Sequence, residues 1–248
     1  MKRMLFAGAL LLAATGSTLA ADLPPSMPPP PPPRAPAAYV PVAPVQYNWG
    51  GIYIGLNGGY GFGDSAWSTT GVTTGNFNIK GPLVGGTLGA NFQSGAFVFG
   101  VEGDGDWTNI TGSFTDTTGV ATGCTGCIYQ TSNNWLGTLR ARAGVAWDRV
   151  LIYATGGGAA GNIKATYTDP AAAVTLSSSN TEFGWTAGGG LEFGITDNVT
   201  AKVEYLYVDL QNGSFTCPAT VCTTATTIPV SFTESLVRAG INLKFSPF

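Results

Sequence analysis

A period-two alternation, carried through one segment after another between Trp49 and Phe248, does most to narrow what this chain can fold into. In Ala96 to Trp107, Phe97, Phe99, Val101 and Trp107 share one face, with Gly103 and Gly105 between them. Val98, Gly100, Glu102, Asp104 and Asp106 share the other. Thr181 to Gly194 sets Phe183, Trp185, Ala187, Leu191 and Phe193 against Glu182, Thr186 and Glu192. Val199 to Asp209 sets Val199, Ala201, Val203, Tyr205 and Tyr207 against Thr200, Lys202 and Glu204. The last segment sets Val237, Ala239, Ile241, Leu243 and Phe245 against Arg238, Asn242 and Lys244. This is the pattern of strands with two unlike faces, and no helical stripe competes with it. Gly51 to Gly61, Pro82 to Gln93, Asn134 to Trp147 and Val150 to Asn162 follow a weaker, glycine-rich version. The set makes eight strands, most about 10–13 residues long, whereas ordinary strands run about 5–6. Strands that tilt across a bilayer need about 9–11.

The connections sharpen the reading. Ser94-Gly95, Asp148-Arg149 and Thr196-Asp197-Asn198 read as tight turns. Phe62 to Gly81, Thr108 to Asn133, Ile163 to Asn180 and Leu210 to Ser231 read as long loops, and short and long alternate. Outer-membrane barrels combine short periplasmic turns with long extracellular loops, and an even strand number returns both ends to the periplasm. Charge and glycine occupy one face. The apolar face is rimmed by Trp107, Trp135, Trp147, Trp185, Tyr205, Tyr207 and Phe245, as expected of aromatic girdles at the two membrane interfaces. A soluble sandwich would carry more charge: 10% of this chain is charged, against roughly 25% in ordinary soluble domains. The expected fold is all-β, an eight-stranded antiparallel up-and-down transmembrane β-barrel with four long extracellular loops and short periplasmic turns.

Three parts are expected along the chain. Residues 1–20 read as a signal peptide: Lys2 and Arg3, an apolar run from Met4 to Ala14, and small residues at Thr18 and Ala20 before the cleavage point. Residues 21–46 read as a Pro-rich periplasmic linker, since Ala21 to Pro44 holds 11 of the 16 prolines. Such a segment extends as polyproline II at about 3 Å per residue. It reads as a stiff spacer, with a tether to a periplasmic partner or the cell wall as the sharper alternative. Residues 47–248 form the barrel, and the expected location is the cell outer membrane.

Several pieces carry a resemblance. They are Trp49-Gly-Gly-Ile-Tyr53-Ile-Gly-Leu-Asn57-Gly-Gly-Tyr60, Gly100-Val-Glu102-Gly-Asp104, Leu139-Arg140-Ala-Arg142-Ala-Gly144, Tyr153-Ala-Thr155-Gly-Gly157 and Val237-Arg238-Ala-Gly240-Ile-Asn242-Leu-Lys244-Phe245. In series, over about residues 47 to 248, the chain resembles the small outer-membrane barrels of alphaproteobacteria, the outer-membrane immunogenic or porin-family proteins related in architecture to the OmpA membrane domain. The resemblance implies insertion by the outer-membrane assembly machinery, which in such barrels reads an aromatic C-terminus. Here Phe245 and Phe248 are the two candidates, because Ser246-Pro247-Phe248 extends the usual Lys-Phe ending.

The inward-facing charges are the best-defined constellation: Glu102, Asp104, Asp106, Glu182, Glu192 and Glu204 against Arg140, Arg142, Lys202, Arg238 and Lys244. An eight-stranded ring is only wide enough for its own side chains. Unpaired charge there is expensive, so these groups should pair as a plug, with a narrow gated channel as the alternative. Glu102-x-Asp104-x-Asp106 lies on one strand face rather than in a calcium loop, so no metal is expected. Cys124, Cys127, Cys217 and Cys222 in an exported chain should form two disulfides of open connectivity, with an all-thiolate zinc site as the rival. Gly156-x-Gly158-x-x-Gly161 matches a dinucleotide fingerprint in letters only, for no helix follows it. The chain has no His, which excludes Ser-His-Asp and Cys-His mechanisms. Its net charge of -3 argues against nucleic acid. The expected function is therefore non-catalytic: a structural surface protein that supports the envelope and presents loops to the exterior. A small diffusion channel and an adhesin or ligand receptor, for example for haem, are the alternatives. No cofactor is expected. The expected partners are outer-membrane lipid and lipopolysaccharide, the assembly machinery, and a host surface or the cell wall.

Overall fold

The computed structural model describes residues 47–69, 72–119, 124–217 and 226–245. The signal peptide, the linker, Cys222 and Phe248 lie outside the described residues, as does the side chain of Cys217. Among the described residues the chain forms nine strands and no helix: β1 (Gly51–Thr69), β2 (Val72–Thr73), β3 (Phe77–Ser94), β4 (Phe97–Asp116), β5 (Cys127–Trp147), β6 (Val150–Asp169), β7 (Val174–Gly194), β8 (Val199–Cys217) and β9 (Thr226–Lys244). β2 is a two-residue strand against the end of β1. The other eight are long, and each pairs antiparallel with the next. β1 also pairs with β9, from Tyr53↔Lys244 to Trp67↔Val230, and this closes the ring. The three expected tight turns separate β3 from β4, β5 from β6 and β7 from β8.

Alternation decides which side chains meet lipid. Phe97, Phe99, Val101 and Trp107 point outward on β4 and are more than half exposed, whereas Val98, Glu102, Asp104 and Asp106 are buried inside. Past Trp107 the outward positions turn polar: Asn109, Ser113 and Thr115 are exposed. On β9 the outward face changes in the same way, from Leu243, Ile241 and Val237 to Ser235, Thr233 and Ser231. The ten steps from Phe97 to Trp107 cover about 33 Å along the strand at ~3.3 Å per residue, or about 25 Å once tilted by ~40°, the height of a bilayer's apolar band. Aromatics mark its edges. Trp107 lies directly opposite Trp135, and Trp185 sits 5.4 Å from Tyr207, ring centre to ring centre. Trp147 and Phe245 are exposed near the short-turn end. Glycine serves the inward face where rings need room: a Cβ on Gly89 would strike the Tyr53 ring, and one on Gly190 the Tyr153 hydroxyl.

Two features differ from the sequence reading. The strands run to 18–21 residues, so much of each segment read as a long loop is strand. Beyond the lipid band outward residues meet water and become Thr, Ser and Asn. The inward half of the alternation persists in Trp67, Phe77, Tyr129 and Phe232, all buried. The ladder therefore continues after the hydrophobic signal has faded on one face. The second feature is a bulge in β5, where the register shifts between Asn133 and Leu136. Asn134 and Trp135 are both exposed, and the inward set changes from Tyr129, Thr131 and Asn133 to Leu136, Thr138 and Arg140. An extra residue of this kind reverses the facing of everything after it, which blurs the pattern in this segment.

The band's upper edge can be tested by charge. Val101→Arg should destabilise the barrel by about 2–4 kcal/mol and Thr115→Arg by about 0–1 kcal/mol, measured by urea unfolding in lipid vesicles. Equal losses would move the membrane boundary past Trp107.

Candidate functional site

Three layers fill the barrel interior. At the short-turn end Tyr47, Trp49, Val98, Ala146, Leu151 and Tyr153 pack as one buried cluster. The Trp49 indole N–H donates to the Asp148 carbonyl at 2.9 Å, and the Tyr47 and Trp49 rings meet edge to face at 4.8 Å. At the long-loop end lies an apolar layer that includes Ile79, Ile110, Leu136, Leu206, Leu210, Phe232 and Leu236. Between the two is a polar layer, the candidate site.

Its hub is Arg140 on β5. The guanidinium reaches Glu102 at 2.5 Å and Asp104 at 2.5 Å on the adjacent β4, and Glu204 at 2.8 Å on β8. Arg238 on β9 is the second hub, 2.8 Å from Asp106, 3.3 Å from Asp104 and 2.5 Å from Glu204. Arg142 joins Glu192 at 2.7 Å to Glu102 at 3.4 Å, and Lys202 reaches Glu102 at 3.0 Å. Water is excluded from all of these side chains, which are at most 3% exposed. Neutral donors complete the carboxylates. The Tyr53 hydroxyl donates to Glu102 at 2.7 Å and accepts from Arg142 at 2.8 Å. Thr87 and Thr138 donate to Asp104 at 2.8 and 3.0 Å, and Tyr153 donates to Glu204 at 3.2 Å. Thr200 and Asn242 donate to Glu192 at 2.5 and 2.8 Å. The Arg142 guanidinium also stacks 4.0 Å over the Tyr153 ring.

The structure brings together Glu102, Asp104, Asp106, Arg140, Arg142, Glu192, Lys202, Glu204 and Arg238. It sets two of the candidates apart. Lys244 belongs to the short-turn end, where its ammonium lies 4.2 Å over the Tyr47 ring and donates to the Asn48 carbonyl. Glu182 shares the inward parity of Glu192 but lies earlier on β7, toward the long-loop end, and is only partly buried. Sequence reasoning set Thr200 and Asn242 on the charged face without giving them a role, and passed over the other neutral donors and Glu234, which is buried on β9. Parity could have found them: Thr138 shares a face with Arg140, and Glu234 with Arg238. Cys124 and Cys127 are joined in a disulfide at the start of β5, which leaves this pair no thiolate for zinc. Phe245 lies on the lipid-facing side, its amide donating to the Ile52 carbonyl at 2.8 Å.

Removing one charge from such a layer strands its partners. Arg140→Ala should cost about 3–5 kcal/mol, whereas Arg149→Ala, which breaks the exposed pair with Asp197, should cost at most about 1 kcal/mol. Urea titration followed by heat-shifted gel mobility reads both, and equal losses would mean that the layer is solvated.

Comparison with known proteins agrees with this architecture. The family model described as "Outer membrane protein beta-barrel domain" matches residues 34–233. The chain is 35% identical over 266 residues to the 31 kDa outer-membrane immunogenic protein of Brucella melitensis biotype 1, covering 99% of this chain and all of that one. It is 29% identical over 209 residues to the 22 kDa outer membrane protein of Rhizobium leguminosarum bv. viciae, covering 84% and 83%. It is also similar to the crystal structure of Neisserial surface protein A, at 14% identity and a TM-score of 0.41, covering 78% and 97%. The chain thus belongs to the outer-membrane protein β-barrel family, with alphaproteobacterial outer-membrane immunogenic proteins among its relatives, and its place is the outer membrane.

Proposed function

We propose that this barrel is a structural surface protein of the outer membrane, non-catalytic, which supports the envelope through its lipid-facing wall and presents its long loops to the exterior. One observation carries the reading: the interior is filled from end to end. The cluster around Tyr47 and Trp49 fills one end, the ion-pair layer the middle, and Ile110, Leu136, Leu206, Leu210 and Leu236, each at most 1% exposed, the other end. A diffusion channel needs a continuous polar path, and the apolar layer interrupts it. Catalysis needs reactive groups within reach of substrate, whereas the carboxylates and guanidiniums here are buried and engaged with one another. The partners on this reading are lipid and lipopolysaccharide around the belt, and the assembly machinery at the aromatic C-terminus. Residues 1–20 would serve export, and residues 21–46 would hold a spacer in the periplasm.

Conductance of the refolded protein in a planar bilayer tests the proposal. Protein shown to be folded by its heat-shifted gel mobility should give no discrete current steps. Reproducible unitary steps would overturn the plug and make the protein a small porin.

A further inference from the structure

One buried carboxyl stands outside the ion-pair network. Among the described residues, Glu102, Asp104, Asp106, Glu192 and Glu204 each have a guanidinium at 2.8 Å or closer. Glu234, on β9, is 1% exposed and pairs with no described cation. Its Oε1 accepts a 3.5 Å bond from the Asn133 amide N–H, and no protein donor reaches its Oε2. The Oδ1 of that same Asn133 amide is buried and has no protein donor either.

The surroundings give a charge no relief. Glu234 lies opposite Val208 of β8 and Gly63 of β1. Phe232 and Leu236, its inward neighbours on β9, belong to the apolar layer, together with Ile110 opposite Asn133. The next inward charges on the strands around it are Arg238 on β9, Glu204 on β8, Asp106 on β4 and Arg140 on β5, and these pair with one another. The inward positions of β1 that flank Gly63, Gly61 and Ser65, carry no charge.

Burial away from donors and cations disfavours the charged form of a carboxyl. A neutral carboxylic acid meets a different demand, because its O–H is a donor. Acid and primary amide are complementary: the amide N–H donates to the acid carbonyl, and the acid O–H donates to the amide oxygen. One proton on Oε2 turns the first orphaned oxygen into a donor for the second. We propose that Glu234 is a proton-binding site, held as a neutral acid in the folded barrel with its O–H donating to Asn133 Oδ1, and that its ionisation loosens the apolar seal around Phe232 and Leu236. This regulation rests on the plug reading of the interior. Its direction follows from linkage. In the unfolded chain Glu234 ionises at about pH 4.3, and the folded barrel keeps the proton to higher pH. The stability it contributes is full below that pH, shrinks as pH rises and is gone once the folded group has ionised.

Infrared spectroscopy of the refolded full chain in deuterated buffer reads the proton directly. At about pH 7, folded wild type should show the C=O stretch of a buried protonated carboxyl, a band that carboxylates lack, and Glu234→Gln should lack it. Asn133→Leu should keep the band at a shifted frequency, its acceptor being gone. The urea midpoint of wild type should fall between about pH 5 and about pH 9 by more than that of Glu234→Gln, which mimics the neutral acid at every pH. Glu234→Leu, apolar like its neighbours, takes over both comparisons if the Gln variant does not fold. Folded wild type without the band overturns the proposal, whether or not a variant folds. So does a band that survives in folded Glu234→Gln, which would place the proton on another carboxyl. An unshifted band in Asn133→Leu overturns the Asn133 pairing, and equal pH dependence in wild type and variant overturns the regulation of the seal. The band reads a proton and not a current: a conducting barrel that shows it overturns the plug alone, and a silent barrel without it overturns the proton site alone.

Discussion

The seam between β1 and β9 is the interaction on which the rest depends. Inside hydrocarbon no water satisfies a free backbone amide or carbonyl, and each one left unpaired costs several kcal/mol. The seam runs through fifteen register pairs from Tyr53↔Lys244 to Trp67↔Val230; without it, both strands would present open edges to lipid. Closing at eight long strands then sets the interior width, which side chains alone can fill. The inward-facing residues have no solvent to turn to, so they must satisfy one another.

That explains why the middle layer is built as a network and not as separate pairs. Arg140 reaches β4 and β8, and Arg238 on β9 reaches the same two strands. Arg140–Glu102 and Arg238–Glu204 join directly paired residues of neighbouring strands, whereas Arg140–Glu204 and Arg238–Asp106 cross the lumen and tie those two pairs together. Buried ion pairs are weak evidence for net stability, since desolvation offsets most of the attraction. Their value here lies in register. Slipping one strand by one residue would turn its lumen charges toward lipid and its Phe and Leu residues inward. An Arg or Lys at mid-membrane then costs about 2–4 kcal/mol and an Asp or Glu less, so the network penalises every wrong pairing of β4, β5, β8 and β9.

Much of this was legible in the sequence, and the limits have physical causes. Period two placed Glu102, Asp104 and Asp106 opposite Phe99 and Val101 because lipid and lumen demand opposite chemistries on one strand. The same contrast ended the strands too early. Above the lipid, Asn109 and Thr115 face water, and only the inward Ile110 and its neighbours still betray a strand. The upper apolar layer was hidden for that reason. The bulge at Asn134-Trp135 disguised the facing of β5, and Arg140 and Arg142 stood out only because they are charged. Cross-lumen partners were not legible at all: Arg238 and Asp106 are 132 residues apart, and only the barrel's stagger brings them together. Lys244 shares the parity of Arg238, yet it sits at the barrel's end, where Tyr47 and Asn48 compete for it. Parity assigns a face and says nothing about height.

Height also separates what could rearrange from what could not. Glu102 touches three cations, and Asp104 and Glu204 touch two each. A guanidinium that left one carboxylate would find another close by, so the polar layer has alternative pairings at modest cost. The apolar layer has none. Opening a water path past Ile110, Leu136, Leu206, Leu210 and Leu236 would expose side chains that are now at most 1% exposed, at roughly 1.5–3 kcal/mol for each one wetted. Five such residues outweigh any exchange of partners below them. On the proposed reading, side-chain motion among the charges does not by itself open the lumen, since the seal rests on hydrophobic packing toward the long-loop end and the charges beneath it govern register.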